Sequence, residues 1–394
     1  HTRVLVDRDE LVLEQPLKPQ DSARLTFTLS YRWSAVNGHD PFNAIVENGS
    51  FMRLSRYFPT FGYDEDAELV DDIIRAQYGL GAPTGIKSLD APKVRIDDSM
   101  DLELDISTTE DQIAIGTGEL IKEWSEAGRN CYRYVAKDIP FRFAVSSARY
   151  RRKQVLHRSI GIHVFFHPLH AQNVDHLIEN TKLTLDYCIE QFGPYPFQSV
   201  VFAEVSSFTS GFAGTAYPGV IFVTEDMTFN AHLGNDASQD VVNELAGHEV
   251  AHFWWGTSGI SPDYREGHAL MTEGLAMYTE MMISKEMYGR EKMLEKVAIH
   301  RQIYEAEKGY ATPNSLVKAT SSESHIVYSK AAMVFVELSE LMGEQELNRA
   351  LRNFYDKHKY PFDRPVVTDL LGEILAQAKA VDHERIRLLF ESRE

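Results

Sequence analysis

Along the first part of the chain, apolar and polar positions alternate. In "LTFTLSYRW" the residues Leu25, Phe27, Leu29, Tyr31 and Trp33 alternate with polar ones, the period of a half-buried strand. "MDLELDI" repeats the pattern at Met100, Leu102, Leu104 and Ile106, and "YRYVA" (132–136), "FRFAV" (141–145) and "SIGIHVFF" (159–166) continue it. Charged or Pro/Gly-containing connections separate these runs, which predicts an antiparallel sandwich or saddle. After about residue 170 the period becomes helical. Asn173 to Phe192 predicts a helix, "FGPYPF" (192–197) interrupts it, and "SVVFAEV" (199–205) and "GVIFVTE" (219–225) predict two more strands. Helices are expected over roughly 238–256, 266–288, 290–306, 329–342, 344–357 and 367–379, the last opening at Thr368 as N-cap. The expected architecture is α+β, with an all-β domain over 1–155 and a mixed, mostly helical domain over 156–394.

Composition narrows the class. At 394 residues, with 43% hydrophobic and 25% charged, the chain has material for about two globular cores. Its 58 acidic residues against 40 basic ones give a net charge of −18, which repels phosphate backbones and anionic headgroups, so nucleic acid is not an expected partner. The two cysteines, Cys131 and Cys188, make no disulfide framework and no C-x-x-C spacing. The most apolar stretch, "VVFAEVSSFTSGFAGTAYPGVIFV", is broken by Glu204, glycines and Pro218, so no membrane insertion is expected. Because the sequence starts at His1 without a signal-like segment, a fragment of a longer protein is expected.

The densest candidate chemistry lies in "NELAGHEVAHFWWG" (243–256). On a helix His248 and His252 stand one above the other and can aim both imidazoles at one ion. Glu249 lies about 100° round the helix, within reach of a metal-bound water without being a ligand. Zinc lowers the pKa of such a water to about 7, and a neighbouring carboxylate can take its proton as it attacks a carbonyl. The competing reading is an apolar core helix, because Leu245, His248, His252 and Trp255 form one stripe. Chance favours the metal: with 15 histidines in the chain, fewer than about 0.1 such matches arise by accident. One zinc ion per chain is expected.

A catalytic zinc site needs a third protein ligand and an open position. Trp255 and Ser258 stand where an H-E-x-x-H-x-x-G-x-x-H motif would place its glycine and third histidine. Glu273 shares a helix face with Leu270, Met277 and Met281, a buried stripe where an unpaired charge is costly and a metal would resolve the cost. Glu266 and His268 are its rivals.

"HEVAHFWWG" followed by "LMTEGLAMY" resembles the aminopeptidase N family of zinc metallopeptidases. The resemblance implies a thermolysin-like, mostly helical catalytic domain behind an N-terminal β domain. It implies His248, His252 and Glu273 as zinc ligands and Glu249 as general base. "FGPYPF" is similar to the family's F-G-x-Y-P. "VYSKAAMVFVEL" (327–338) resembles its Y-x-K-G-A helix start, which implies Tyr328 as the hydroxyl that stabilises the oxyanion. The segment "GISPDYREGHA" is slightly longer than usual, in a connection where length is cheap. One departure stands out. The family's substrate strand carries a glutamate that binds the peptide's free amine, whereas aligning Tyr217, Pro218 and Gly219 puts Ala216 at that position. Gly214, Ala216 and Tyr217 are the expected substrate-binding positions, and "NGSFMRLSRYFP" (48–59), loosely similar to the second amine-contacting region, offers no carboxylate.

The expected function is zinc-dependent peptide hydrolysis, aminopeptidase-like but without the amine anchor. The alternative is a zinc-containing, catalytically weak peptide-binding or regulatory domain of a membrane transporter complex. "NGSFMRLSRYFPTFGYDEDAELVD" (48–71) is similar to a subgroup fused to bacterial transporter permeases. That likeness implies an extracytoplasmic domain of a membrane-anchored protein.

Overall fold

The structure, a computed structural model, describes residues 2–4, 9–11, 15–32, 45–46, 49–58, 68–93, 99–207, 212–234, 240–309, 313–361 and 363–393. Two compact units form, residues 1–32 with 56–87, and residues 33–55 with 88–394.

In the first unit, strands β1 (Thr2–Val4) and β2 (Asp9–Leu11) pair antiparallel. Helix α1 (Asp72–Gln77) is capped by Asp71, whose carboxylate accepts from the Ile74 N–H at 2.9 Å. The strand expected over 25–33 is not observed. Residues 25–32 adopt no regular structure, and Leu25, Phe27 and Leu29 are exposed; Trp33 lies outside the described residues. Alternation supplies an apolar face, but a strand persists only where a second segment accepts its backbone hydrogen bonds.

Among the described residues the second unit contains three sheets. Strands β3 (Ile45–Val46), β4 (Gly49–Met52), β6 (Ile113–Gly116) and β9 (Val145–Ala148) form one, in the order β3-β4-β9-β6. Strands β5 (Met100–Thr109), β7 (Glu119–Glu126) and β8 (Arg129–Ile139) form another, ordered β5-β8-β7. Both are antiparallel throughout. "FRFAV" starts its strand only at Val145, because the preceding stretch leaves the sheet. The third sheet is mixed, ordered β10-β11-β12-β14-β13, from β10 (Arg151–His157), β11 (Ile160–Phe166), β12 (Ser199–Val205), β13 (Gly214–Tyr217) and β14 (Val220–Thr224). β11, β12 and β14 run parallel, while β10 and β13 are antiparallel additions at its two ends. This sheet begins at Arg151, so the expected boundary near 155 falls inside β10.

The helices are α2 (Val174–Phe192), α3 (Val241–Ala251), α4 (Glu273–Tyr288), α5 (Arg290–Glu307), α6 (Ala331–Met342), α7 (Glu344–His358), α8 (Val367–Gln377) and α9 (His383–Glu391); α2 packs on β11 and α3 on β13, and the later helices build outward from these two. The α+β class is as expected, and several boundaries move. α3 ends at Ala251 rather than 256, because the N–H groups of Trp254 and Trp255 both turn back to the Ala251 carbonyl at 2.9 Å. Their fully buried indoles point into different packing sites and donate to the Gly193 carbonyl (3.0 Å) and Thr279 Oγ1 (3.1 Å). Each such side chain removes on the order of 200 Å² from water, roughly 5 kcal/mol at about 25 cal/mol per Å². "FGPYPF" takes part in the same anchorage: the Tyr195 ring packs edge-on against Phe253 at 5.2 Å. The expected helix over 266–288 splits into a short turn, His268–Met271, and α4, which makes Glu273 the first residue of a helix. The helix expected from 329 is preceded by a wide π-turn, His325–Lys330. α8 opens at Val367, and Thr368 is not its cap; the Asp369 carboxylate closes the end by accepting from the Val366 N–H at 2.8 Å. No helix among the described residues is long and apolar enough to cross a membrane.

Candidate active site

The opening of α3 is held firmly. Asp240 accepts from the N–H groups of Val242 (3.2 Å) and Asn243 (3.0 Å), and its other oxygen bonds His176 (2.6 Å) and Tyr288. Burial opposes its charge, but these hydrogen bonds keep the Asp240 carboxyl below the usual range. Farther along, Gly247 sets the spacing to α4: a Cβ there would lie 3.2 Å from the Glu280 Cα. Without a side chain at this crossing, the α4 carboxylates come within reach of the α3 imidazoles.

The Nε2 atoms of His248 and His252 lie 3.2 and 3.5 Å from Glu273 Oε2. All three ligand atoms fall within 4.8 Å of one another. The outer nitrogens are also engaged. His252 Nδ1 donates to the Trp255 carbonyl at 2.8 Å, and because a carbonyl only accepts, the neutral ring keeps its lone pair on Nε2. His248 Nδ1 faces Glu280 at 3.3 Å, a carboxylate–histidine arrangement that orients a metal ligand. Burial pulls the His248 imidazolium down, yet Glu273 and Glu280 hold its pKa well above the ordinary value. Burial likewise raises the Glu273 carboxyl, but with the imidazoles protonated the charge of His252 and hydrogen bonds from both rings hold it well below the usual range. The site favours positive charge between these three groups. A divalent cation supplies that charge, and two imidazole nitrogens with one carboxylate are the donor set of an open zinc site. The rivals point elsewhere: Glu266 accepts from the Leu89 N–H at 3.0 Å, and His268 Nδ1 bonds the Arg265 carbonyl at 2.8 Å.

A cleft of about 760 Å³ opens on this cluster, lined among others by Arg142, Gly214, Thr215, Ala216, Glu249 and Tyr328. Glu249 is buried; burial pushes its carboxyl up and the charges of His252 and His248 pull it down, leaving it above the usual range. Its Oε2 has no hydrogen-bond partner among the described residues, so the lone pairs of a proton acceptor stay uncommitted. Gly214 makes room for it, since a Cβ there would meet Glu249 Oε1 at 2.6 Å. Gly214→Ala is expected to displace that carboxylate and cut kcat/KM by about 100-fold, with circular dichroism and zinc content unchanged. Steady-state kinetics on the folded variant check this; wild-type turnover would mean that the Glu249 position is immaterial.

Tyr328 sits in the π-turn before α6, its ring stacked 5.9 Å from that of His248. Burial and then the neighbouring Glu273 raise its phenol pKa far above the ordinary value, so it stays a proton donor. Of the expected substrate positions, Gly214 and Ala216 line the cleft on β13, the edge strand of its sheet. Tyr217 does not line it. That ring is buried against Phe222 at 5.7 Å, and its link to the cleft runs through Arg142, whose guanidinium lies 5.0 Å above it.

Arg142 and Glu280 are the site residues that sequence reasoning missed. Glu280 had a signal, since it returns to the Glu273 face of α4 two turns later. Arg142 had none: it comes from the β region and reaches the cleft by donating to Thr215 Oγ1 at 3.1 Å.

The profile of the Peptidase family M1 domain matches residues 176–388, more than half of the chain. The chain belongs to the M1 peptidase family. This M1 chain is 26% identical over 208 residues to aminopeptidase 2 of Candida albicans, a match covering 50% of the chain and 22% of that protein. It is 30% identical over 141 residues to human aminopeptidase RNPEPL1, covering 33% of the chain and 19% of the relative. The chain thus spans about a fifth of the length of these curated relatives. Among solved structures, the M1 zinc metallopeptidase from Deinococcus radiodurans shares its fold, with a TM-score of 0.59 at 15% identity over 76% of this chain and 65% of that one.

Proposed function

We propose that this M1 chain is a zinc-dependent peptidase that takes peptides presenting an anion, rather than a free ammonium, on the amino side of the scissile bond. The hydrolytic part rests on the convergence of His248, His252 and Glu273 beside an uncommitted, buried Glu249. When bound, zinc polarises the scissile carbonyl and lowers the pKa of water to about 7. His248, His252 and Glu273 would hold the ion, and Glu280 with the Trp255 carbonyl fixes the two rings. Glu249 takes the proton from the attacking water and passes it to the leaving amine. Tyr328 donates its phenol hydrogen to the oxygen that gains negative charge. The outer edge of β13, which pairs with no further strand among the described residues, supplies backbone groups for an extended substrate.

The preference for an anion rests on Arg142. Ala216 occupies the position where the family resemblance places an amine-binding glutamate, and a methyl group cannot pair with an ammonium. Arg142 forms no ion pair with any described residue, and its guanidinium donates a hydrogen bond to the neutral Thr215 hydroxyl. Lys296, the other cation lining the cleft, is already paired with Glu244 at 2.9 Å. An acidic side chain or an N-succinyl group on the substrate would complete Arg142, and a charge-assisted hydrogen bond contributes about 1.5–3 kcal/mol. A panel of fluorogenic peptides with free, acetylated and succinylated N-termini tests this. Succinylated and acidic peptides are expected to give the highest kcat/KM. Arg142→Ala should cut that value about 10- to 100-fold while acetylated neutral peptides change by less than about 3-fold. A clear preference for free aminoacyl substrates in the wild type would overturn the reading.

A further inference from the structure

Away from the cleft, the parallel part of the mixed sheet gathers a second group of ligand-type side chains. Because β11, β12 and β14 run in the same direction, their C-terminal ends lie side by side. His170 follows β11, Glu204 is the penultimate residue of β12, and Glu225 immediately follows β14. One ligand atom from each falls within 4.8 Å of the other two. None of the three lines the catalytic cleft.

Glu204 is only 6% exposed. Its Oε2 accepts from the His167 N–H at 2.6 Å, which fixes the plane of the carboxylate, and its Oε1 bonds His170 Nδ1. Glu225 accepts from Ser206 Oγ (3.3 Å) and the Ser207 N–H (3.4 Å), so it too is oriented. A void of about 30 Å³ adjoins Glu204, Glu225 and the His167 segment, room for one small ion or water. Arg149 also borders the void, but it pairs with Asp111 at 2.6 Å. The His167 ring is not counted as a ligand, because its Nδ1 accepts from the Leu169 N–H at 3.3 Å. Two oriented carboxylates beside a void, with the His170 imidazole bonded to one of them, form an arrangement that a shared cation stabilises.

We propose that His170, Glu204 and Glu225 form a second divalent-cation site, distinct from the catalytic cluster, that takes an ion of the zinc class and ties together the ends of three parallel strands. Binding needs a bare His170 Nδ1: a doubly protonated ring releases its Nδ1 proton to solvent and keeps the one on Nε2, while a neutral Nδ1–H ring releases that proton to solvent and takes one from solvent at Nε2, and the freed lone pair takes the ion beside Glu204 Oε1. Glu204 Oε2 stays on the His167 N–H, holding the ligand oxygen in place. The ion is structural, so its loss lowers stability without removing any group from the cleft.

Metal analysis of the whole chain after zinc loading and dialysis tests the site. The wild type is expected to hold about two ions per chain, the His248→Ala/His252→Ala variant about one, and that variant carrying Glu204→Gln and Glu225→Gln as well none. A zinc-free His248→Ala/His252→Ala variant that remains folded, or unchanged zinc after the two glutamine substitutions are added, would overturn the proposal. Should the combined variant fail to fold, anomalous scattering at the zinc edge from wild-type crystals decides. A peak between His170, Glu204 and Glu225 is expected, and a peak only at His248, His252 and Glu273 would overturn it.

Discussion

Glu249→Gln is expected to lower kcat by about 10²- to 10⁴-fold while KM and zinc content stay near wild type. The substitution is nearly isosteric, so the packing against Gly214 survives, and neither imidazole nor Glu273 loses a contact to it. What disappears is the ability to accept a proton, because an amide oxygen is far less basic than a carboxylate whose burial already raises its pKa. Steady-state kinetics on a blocked peptide, with zinc measured on the same preparation, check this. Wild-type turnover in a zinc-loaded variant would remove Glu249 from the mechanism, whereas lost zinc would mean that it helps to hold the ion.

Glu273→Ala is expected to abolish zinc retention at the His248–His252 cluster, and activity with it. Its Oε2 is the atom that both Nε2 nitrogens face, at 3.2 and 3.5 Å, so truncation leaves two imidazoles without their shared anionic partner. Loss of a group that merely orients a ligand costs about 10- to 100-fold in metal affinity, and loss of a ligand costs more. Dialysis against a weak chelator followed by metal analysis reads this directly. The second site predicts that one ion per chain remains in this variant, whereas undiminished zinc would assign the third ligand to another residue. Stability is a separate readout, since Glu273 begins α4, where a carboxylate also complements the helix dipole.

Much of the fold was legible because local pattern and tertiary demand agreed. "MDLELDI" alternates, and in β5 its apolar residues are less exposed than the acidic residues between them. "SVVFAEV" matches β12 residue for residue. The failures have definite causes. "LTFTLSYRW" alternates as cleanly, yet residues 25–32 form no strand, because periodicity cannot specify the segment that would pair with them. α3 stops before the two tryptophans because their indoles find hydrogen-bond partners on α2's C-cap and on α4, which no local rule could foresee. Thr368 has the composition of a cap, but Asp369 makes the bond.

The sequence by itself determined the local chemistry: two histidines one helical turn apart, a glutamate offset from them, and a buried-face carboxylate on the following helix. Those relations follow from the 3.6-residue period and hold wherever the helix is placed. Only the tertiary structure decided which groups meet across elements. It set Glu280 behind His248, brought Arg142 from the β region to Thr215, buried Tyr217 away from the cleft, and joined His170, Glu204 and Glu225 at the ends of three parallel strands. These meetings depend on sheet order and on the close approach at Gly247. Both are fixed by packing among residues far apart in the chain, so they are invisible to any reading that runs along it.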